Sequence, residues 1–241
     1  MIKHVLVLGL LLLPAPGARA LAAPAELIIE AEETPPESFQ ASDGQMSGIT
    51  GELLRRALAR AGVPAAIGPV PWQRAYGDAL ANPLTCAYPT TETPERLPLF
   101  KWAGPLAHND WVLIGTNEGG IRLDRLEDAK RYRIGVYQGD AREEFFRKAG
   151  GYQIETVNGN QLNLTRLEAG RIDLWAASVY TLWYERQHGA ANLKVVLPFR
   201  AVTLSLACNR SVPDDTMARL NRAIAALIDD GTVAAIEAPY R

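Results

Sequence analysis

Short apolar segments alternate with amphipathic segments twice along the chain, and this alternation constrains the fold more than any other feature. Strand patterns at 27–29, 66–70 and 84–88 are separated by helical patterns at 51–61 and 73–81. The order restarts with strand patterns at 133–137, 154–157, 172–176 and 193–197 and helical patterns at 140–149, 161–169 and 180–187. Strands that alternate with helices are typical of mainly parallel sheets covered by helices. Two such units without a flexible linker predict an α/β protein with two lobes and a cleft between them.

Three further segments complete the predicted secondary structure. A strand is expected at 112–114, at the end of the first unit, and another at 203–207. Ser211 to Asp214 resembles a capping box with proline in the first turn, and an apolar stripe follows it. We therefore expect a long helix that begins near Ser211 and ends at Gly231.

The first twenty residues have the pattern of a secretory signal peptide. Lys3 and His4 precede an apolar run from Val5 to Leu13, and the small-residue sequence Ala18-Arg19-Ala20 follows. The run is too short to cross a bilayer as a helix. Cleavage after Ala20 fits best, cleavage two or three residues later fits nearly as well, and a buried N-terminal element is the alternative. Residues 1–20 are therefore predicted to be removed, and the product is predicted to be periplasmic.

Charge and motif content exclude several classes of function. The chain has 25 Lys and Arg residues against 27 Asp and Glu residues, with no basic block, so no nucleic-acid partner is expected. Nucleotide-binding, zinc-protease and nucleophile-elbow motifs are missing from the sequence. His108 and His188 lie far apart in sequence, and two cysteines cannot make a Cys-based zinc site. We expect no metal and no cofactor.

One family matches a series of short motifs in their order along the chain. The densest is Thr91-Glu92-Thr93-Pro94-Glu95-Arg96, which lies between Pro71-Trp72-Gln73-Arg74-Ala75 and the segment Phe100 to Leu106. Gly135 to Gly139 and Gly170 to Asp173 are similar to strand segments of a second lobe. With these motifs the chain resembles the family 3 extracellular solute-binding proteins, the periplasmic receptors of polar amino acid ABC transporters.

The resemblance implies the type II two-lobed fold, in which two crossing strands join the lobes. It places lobe 1 at 24–113 and 202–241 and lobe 2 at 114–201, with hinge strands near 112–116 and 198–202. It also implies a small-molecule ligand and a monomer that works with an ABC permease or with a membrane sensor.

Four side chains of lobe 1 take ligand roles by this resemblance. Arg96 would grip a carboxylate as a bidentate fork, and Thr91 would add a hydroxyl hydrogen bond. Tyr88 would lie near the ligand at the strand end, and Trp72 would stack on the ligand's side chain. A salt bridge within the motif remains open for Arg96, and lobe packing remains open for Trp72.

Other positions depart from the family pattern. Ser178 replaces the aspartate that usually pairs with the ligand's ammonium group, and Thr34 and Glu37 replace aromatic residues. Asp140, at the start of a helix in lobe 2, either caps that helix or faces a cation in the cleft. An ordinary α-amino acid is therefore not implied, and we expect a small polar solute that bears a carboxylate.

Two other functions remain open on the same fold. Cyclohexadienyl dehydratases resemble it and act on a carboxylated ring, with Glu37, Asp140 or Glu33 here as the candidate general acid. The sequence has no nucleophile motif, so we do not expect an enzyme. A sensor or accessory binding protein without transport is the other alternative.

The resemblance also brings the only two cysteines onto neighbouring strands of lobe 1. Cys86 and Cys208 could face each other there and form a disulfide, which an oxidising compartment permits. Two buried free thiols are the alternative.

Overall fold

The computed structural model describes residues 26–240 and folds them into two lobes, each built on a five-stranded sheet with helices packed against it. This confirms the predicted two-lobed α/β architecture. The predicted signal peptide lies outside the described residues. Within residues 26–240, no helix combines the length and the apolar character needed to cross a membrane.

The first half of the chain supplies most of lobe 1. Its strands and helices are β1 (Leu27–Ala31), β2 (Phe39–Gln40), β3 (Met46–Ser47), α1 (Gly48–Ala61), β4 (Ala65–Pro69), α2 (Trp72–Ala81), β5 (Thr85–Thr91) and β6 (Lys101–His108). The short strands β2 and β3 pair with each other as a separate hairpin.

Lobe 2 follows, and the chain then returns to lobe 1. The elements of lobe 2 are β7 (Trp111–Thr116), β8 (Arg133–Tyr137), α3 (Ala141–Ala149), β9 (Gln153–Val157), α4 (Gln161–Glu168), β10 (Leu174–Ser178), α5 (Val179–Gln187) and β11 (Leu193–Arg200). The returning elements are β12 (Thr203–Cys208), α6 (Asp214–Asp229) and α7 (Thr232–Glu237). Short 3-10 helices occupy Leu97–Leu99, Leu126–Arg131 and Ala238–Tyr240.

The two sheets have the same plan. The first has the strand order β4-β1-β5-β12-β6 and the second has the order β11-β7-β10-β8-β9. In each sheet two pairings are parallel and two are antiparallel. The sheets are therefore mixed and not mainly parallel as predicted. The antiparallel pairings involve β12 in lobe 1 and β7 in lobe 2, and each of these strands comes directly after a crossing between the lobes.

The lobe boundary differs in detail from the predicted one. The strand expected at 112–114 is β7, and it pairs with β10 and β11 in the second sheet. The chain therefore crosses between the lobes at 109–110, before the predicted boundary at 113, and it crosses back at 201–202. Strand β6, which the sequence did not indicate, completes lobe 1 beside β12.

Packing in lobe 1 follows the helical periodicity of the sequence. Leu53, Leu54 and Ala57 of α1 lie in the same buried cluster as Leu220 and Ile224 of α6. The helix that we expected to begin with a capping box starts at Asp214 without a side-chain cap. Ser211 instead accepts a hydrogen bond from the backbone N–H of Leu84, 3.0 Å away, which ties the start of β5 to the start of α6.

Cys86 of β5 and Cys208 of β12 are bonded to each other in the structure. They are register partners in the antiparallel ladder, their Cα atoms are 4.0 Å apart, and both side chains are fully buried. The bond lies across 122 residues of sequence, a segment that contains the whole of lobe 2.

Candidate functional site

A cavity of about 670 Å³ lies between the two lobes. The ends of the strands β1, β5, β8 and β10 open onto it, which is where open α/β sheets bind their ligands. Both lobes supply its walls. Polar and aromatic side chains form most of the lining: Glu32, Glu33, Thr34, Glu37, Thr91, Asn109, Trp111, Tyr137, Asp140, Arg142, Asn160, Gln161, Ser178, Thr181, Tyr184 and Glu185.

Glu37 connects the two lobes at the cavity wall. Its Oε1 accepts hydrogen bonds from Nδ2 of Asn109 at 2.8 Å and from Oγ of Ser178 at 3.1 Å. The carboxyl of lobe 1 is thereby bonded both to the crossing segment and to lobe 2. Burial raises the pKa of Glu37 above its ordinary value, although the hydrogen bonds from Ser178 and Asn109 oppose this.

Ser178 positions the start of α5 as well as Glu37. Its Oγ accepts the N–H of Thr181 at 3.1 Å and lies 2.9 Å from the hydroxyl of that residue. Ser178 therefore caps α5 from the end of β10 and also donates to Glu37, so its side chain links the N-terminus of this helix to the carboxyl group of Glu37.

Asp140 and Arg142 form a pair at the start of α3. Oδ1 of Asp140 caps the helix by accepting the backbone N–H of Arg142 at 2.8 Å. The guanidinium also donates to both oxygens, from Nε to Oδ1 at 2.6 Å and from an Nη to Oδ2 at 2.9 Å. Charge attraction and these hydrogen bonds to Arg142 hold the pKa of Asp140 below its ordinary value even though burial opposes them. Asp140 therefore caps its helix and also lines the cavity.

Glu32 lies across the cleft from this pair. Tyr137 of lobe 2 also lines the cavity, and its hydroxyl acts to lower the pKa of the Glu32 carboxyl group. Burial, with a contribution from the nearby Asp140 charge, raises the pKa of Glu32 to about 8. The carboxyl is thus largely protonated at neutral pH.

Glu185 supplies the second carboxyl group of the lobe 2 wall, after Asp140. Its side chain is buried, and Nε2 of Gln161 donates to Oε2 at 3.4 Å. Burial raises the pKa of Glu185. The neighbouring Tyr184 also lines the cavity.

Arg96 and Trp72 lie beside the cavity and do not line it. Arg96 is buried, with 2% of its surface exposed. Its guanidinium lies 5.2 Å from the ring centre of Trp72 and 5.0 Å from that of Tyr76. The guanidinium also donates a hydrogen bond to Oε1 of Glu144 at 2.8 Å. Nε1 of Trp72 donates to the backbone carbonyl of Gly139 at 2.8 Å. Both residues of lobe 1 thus form hydrogen bonds to lobe 2.

Gly139 suits this close approach of the lobes. Its φ of +73° is in the left-handed region that favours glycine. Its carbonyl accepts from Trp72 and, at 3.4 Å, from Arg96, while its N–H donates to Glu143 at 2.6 Å. The turn before α3 therefore presents a backbone acceptor to lobe 1.

The other predicted site residues either line the cavity or lie in the core of lobe 1. Thr34 and Thr91 line the cavity, as do Glu37, Asp140 and Ser178. Tyr88 is fully buried in the lobe 1 core and does not line the cavity. Within residues 26–240 no group of three metal-ligating side chains is placed to hold a metal ion.

Several lining residues were missed by the sequence analysis. Arg142 lies two residues after Asp140, for which the sequence left open a helix cap or a cation in the cleft, but the guanidinium of Arg142 itself was not considered. Glu32 directly follows β1, and Tyr137 is the last residue of β8. Ligands bind at the carboxyl ends of parallel strands, and this rule could have found both residues. Asn109 lies in the crossing segment, which sequence periodicity did not locate.

Comparison with known proteins supports the resemblance seen in the sequence. The model of the bacterial extracellular solute-binding proteins, family 3, matches residues 27–241. A probable amino-acid ABC transporter-binding protein of Haemophilus influenzae is 24% identical over 200 residues, covering 82% of this chain and 77% of that protein.

Two solved structures share the fold. An ancestral arginine-binding protein bound to arginine has a TM-score of 0.76 and 20% identity, with 89% of this chain and 97% of that chain covered. A histidine kinase sensor domain with similarity to periplasmic binding proteins has a TM-score of 0.80 and 17% identity, with 90% and 96% covered.

Proposed function

The chain belongs to the bacterial extracellular solute-binding proteins of family 3, and from that membership we propose that it is a periplasmic receptor that captures a small polar solute for an ABC transporter. The observation that carries this proposal is the cavity of about 670 Å³ between the lobes, which is lined by polar side chains of both. A ligand that contacts both walls binds the closed arrangement better than an open one, which is how such a protein reports its loaded state.

The crossing segments at 109–110 and 201–202 are the proposed hinges, with lobe 1 on one side and lobe 2 on the other. Asn109 supports this assignment because its side chain bonds to Glu37, while its Oδ1 accepts the N–H of Tyr180 in lobe 2 at 3.4 Å. We propose that the exported protein acts as a monomer after removal of residues 1–20.

The carboxylate anchor at Arg96 stays a prediction. In the structure the guanidinium already donates to Glu144, so a ligand carboxylate would have to displace that side chain. Glu144 is half exposed, which makes such an exchange sterically feasible but leaves it without direct support.

The two alternative functions rest on separate observations. The sensor reading is supported by the shared fold with a histidine kinase sensor domain. For the enzyme reading, Glu37 lines the cavity with a raised pKa, as a general acid requires. Asp140 is unsuited to that role because Arg142 keeps it ionised. The curated relative is a binding protein, and we propose binding without catalysis.

A thermal-shift screen of the exported protein tests the receptor function. Amino acids, other carboxylates and amines are added singly, and a ligand that binds only the native state raises the Tm. Gly159→Trp places bulk at the cavity wall, where a side chain meets nothing within 4 Å, and should remove the shift. Gly77→Trp, on the exposed face of α2 and equally free of neighbours, should retain it.

The proposal fails if no solute in the screen raises the Tm of the unmodified protein. An equal shift in both tryptophan variants would place binding outside the cleft and would also contradict the proposal.

A further inference from the structure

The cavity wall carries far more carboxyl groups than cationic groups. Its charged lining consists of five carboxyl groups, those of Glu32, Glu33, Glu37, Asp140 and Glu185, and the single guanidinium of Arg142. All of these residues are within the part of the chain that the structure describes. A cation in the cavity favours the ionised form of nearby carboxyl groups, whereas an anion opposes it, so a wall of this composition favours a cationic ligand.

Cations near the cleft are already bound to carboxylates of the protein itself. Arg142 donates to both oxygens of Asp140, and its side chain is 12% exposed. Arg96 donates to Glu144. A ligand carboxylate would therefore find the guanidinium of Arg142 neutralised and the N-terminus of α3 capped by Asp140.

A buried acceptor at the same wall lacks a partner. Glu37 is 6% exposed, and while its Oε1 accepts two hydrogen bonds, its Oε2 accepts none from any other side chain among residues 26–240. Oγ1 of Thr34, a second lining atom, is likewise buried without a hydrogen bond in the described chain. Buried polar atoms are costly without a partner, so these two indicate where a ligand donor binds.

Aromatic rings complete the cation-favouring wall. Tyr137, Tyr184 and Trp111 all line the cavity. The face of an aromatic ring attracts an ammonium group, and the attraction grows when both are shielded from water.

We propose that the cleft selects a small organic amine that carries no carboxylate, with Glu37 as the acceptor of its ammonium group. This inference rests on the proposed solute-receptor function and names the substrate class of the same site. The ammonium donates to Oε2 of Glu37 and to the Thr34 hydroxyl oxygen, and the tyrosine rings cover the carbon chain. The positive charge of the ligand favours the ionised form of the carboxyl groups beside it, and Glu32 and Glu185 ionised in this way balance any second positive group.

Titration calorimetry of the exported protein with two matched pairs of probes tests the inference. Agmatine is compared with arginine, and cadaverine with lysine, because the members of each pair differ only in the α-carboxylate. We expect at least one amine to bind tenfold or more tightly than its amino acid partner.

Two cavity variants and one control locate the ammonium group. Glu37→Gln keeps an oxygen for Asn109 and Ser178 while removing the charge, and it should weaken amine binding at least tenfold. Glu32→Gln serves as a second variant in case Glu37→Gln does not fold. Glu127→Gln, which alters an exposed carboxylate of lobe 2 outside the cavity, should leave the affinity unchanged.

The results separate the two proposals. If glutamate, glutamine or another carboxylate binds while neither amine does, or if arginine and lysine bind as tightly as their amines, the receptor function stands and the amine selectivity is overturned. An amine affinity that is the same in both cavity variants as in the unmodified protein also overturns it. If no solute binds at all, the receptor function itself has failed.

Discussion

Arg96 is a buried cation whose partner comes from the other lobe. Its guanidinium lies against the rings of Trp72 and Tyr76 and donates to Glu144, which is 47% exposed at the side chain. Exposure of the carboxylate weakens the pair through solvent screening, whereas the ring contacts are shielded. This geometry makes Arg96 a residue that stabilises the closed arrangement of the lobes.

A double-mutant cycle on the unfolding free energy tests that role. Arg96→Lys and Glu144→Gln are measured singly and together, and we expect a coupling energy of about 1 kcal/mol, because lysine cannot reproduce the planar contact. Lys148, which pairs with Glu95 in an exposed position, provides a control cycle with smaller coupling. Zero coupling between Arg96 and Glu144 combined with a large loss of ligand affinity in Arg96→Lys would instead support the carboxylate anchor.

Glu32 should make the stability of the protein depend on pH. Its pKa is raised from 4.5 to about 8, so the native state holds the proton more tightly than the unfolded state does. Its stabilising contribution is therefore complete below pH 4.5 and is lost as the pH rises to 8, with a slope of at most about 1.4 kcal/mol per pH unit. The groups that face it are Tyr137, Asp140, Arg142 and Glu37.

Denaturant unfolding at pH 5, 6, 7 and 8 measures this slope. Glu32→Gln has no proton to lose, so the difference in unfolding free energy between the two proteins should change steadily in favour of the variant as the pH rises. Glu37 and Glu185 titrate in both proteins and cancel in the difference. Parallel curves for the two proteins would show that Glu32 is ionised in the native state and would contradict the prediction.

Of the site residues predicted from the sequence, some line the cavity and others do not, and both outcomes have physical reasons. Glu37, Asp140 and Ser178 were found because they depart from a family pattern at positions that follow strands. Tyr88 was placed by its proximity to the motif, but alternation along β5 turns its side chain into the core. The partner of Arg96 could not be predicted, because Glu144 is 48 residues away and meets it only when the lobes close.

At the scale of elements, helix α3 depends on one carboxylate for two purposes. Asp140 caps its N-terminus and neutralises Arg142, which is largely buried. Asp140→Asn keeps a capping oxygen but leaves Arg142 without its ion pair, and we expect it to cost about 3 kcal/mol of stability. Asp140→Ala also removes the cap and should cost about 1 kcal/mol more.

Chemical denaturation of the two variants and of one double variant checks this prediction. Arg142→Gln combined with Asp140→Asn removes both charges and should recover most of the loss, because no unpaired charge stays buried. If Asp140→Asn costs less than about 1 kcal/mol, Arg142 has found another carboxylate such as Glu37, and the pair is not what stabilises the helix start.

Periodicity predicted the elements better than their lobe membership. Strand β6 was missed because Lys101–His108 contains a glycine and a proline and none of the β-branched residues that mark a strand. Strand β7 was recognised but assigned to the first lobe, since a short apolar run does not show which sheet it joins. The capping role expected of Ser211 is not observed, because its hydroxyl instead accepts a hydrogen bond from the backbone N–H of Leu84. Such choices depend on tertiary contacts that a local pattern does not contain.

Lobe 1 is made of two segments that are far apart in sequence and that must associate when the molecule folds. Strand β12 returns from lobe 2 and inserts between β5 and β6. The unfolded chain must therefore close a loop around lobe 2 before the first sheet is complete, and this closure costs conformational entropy. The disulfide between Cys86 and Cys208 joins the two parts at neighbouring strands, and it confines the unfolded chain to conformations in which that loop is already closed.

Removal of the disulfide should therefore lower stability without changing the ligand site. A closed loop of 122 residues corresponds to about 5 kcal/mol in the chain-entropy model, which native-state strain would reduce. We expect the Cys86→Ala, Cys208→Ala double variant to unfold at lower denaturant concentration than the oxidised protein and at the same concentration with or without reductant. Labelling the unfolded, unreduced protein should find no reactive thiol, and two thiols per chain would contradict the bond. Because both cysteines are buried in lobe 1, away from the cavity walls, ligand affinity measured well below the unfolding midpoint should stay the same in the variant.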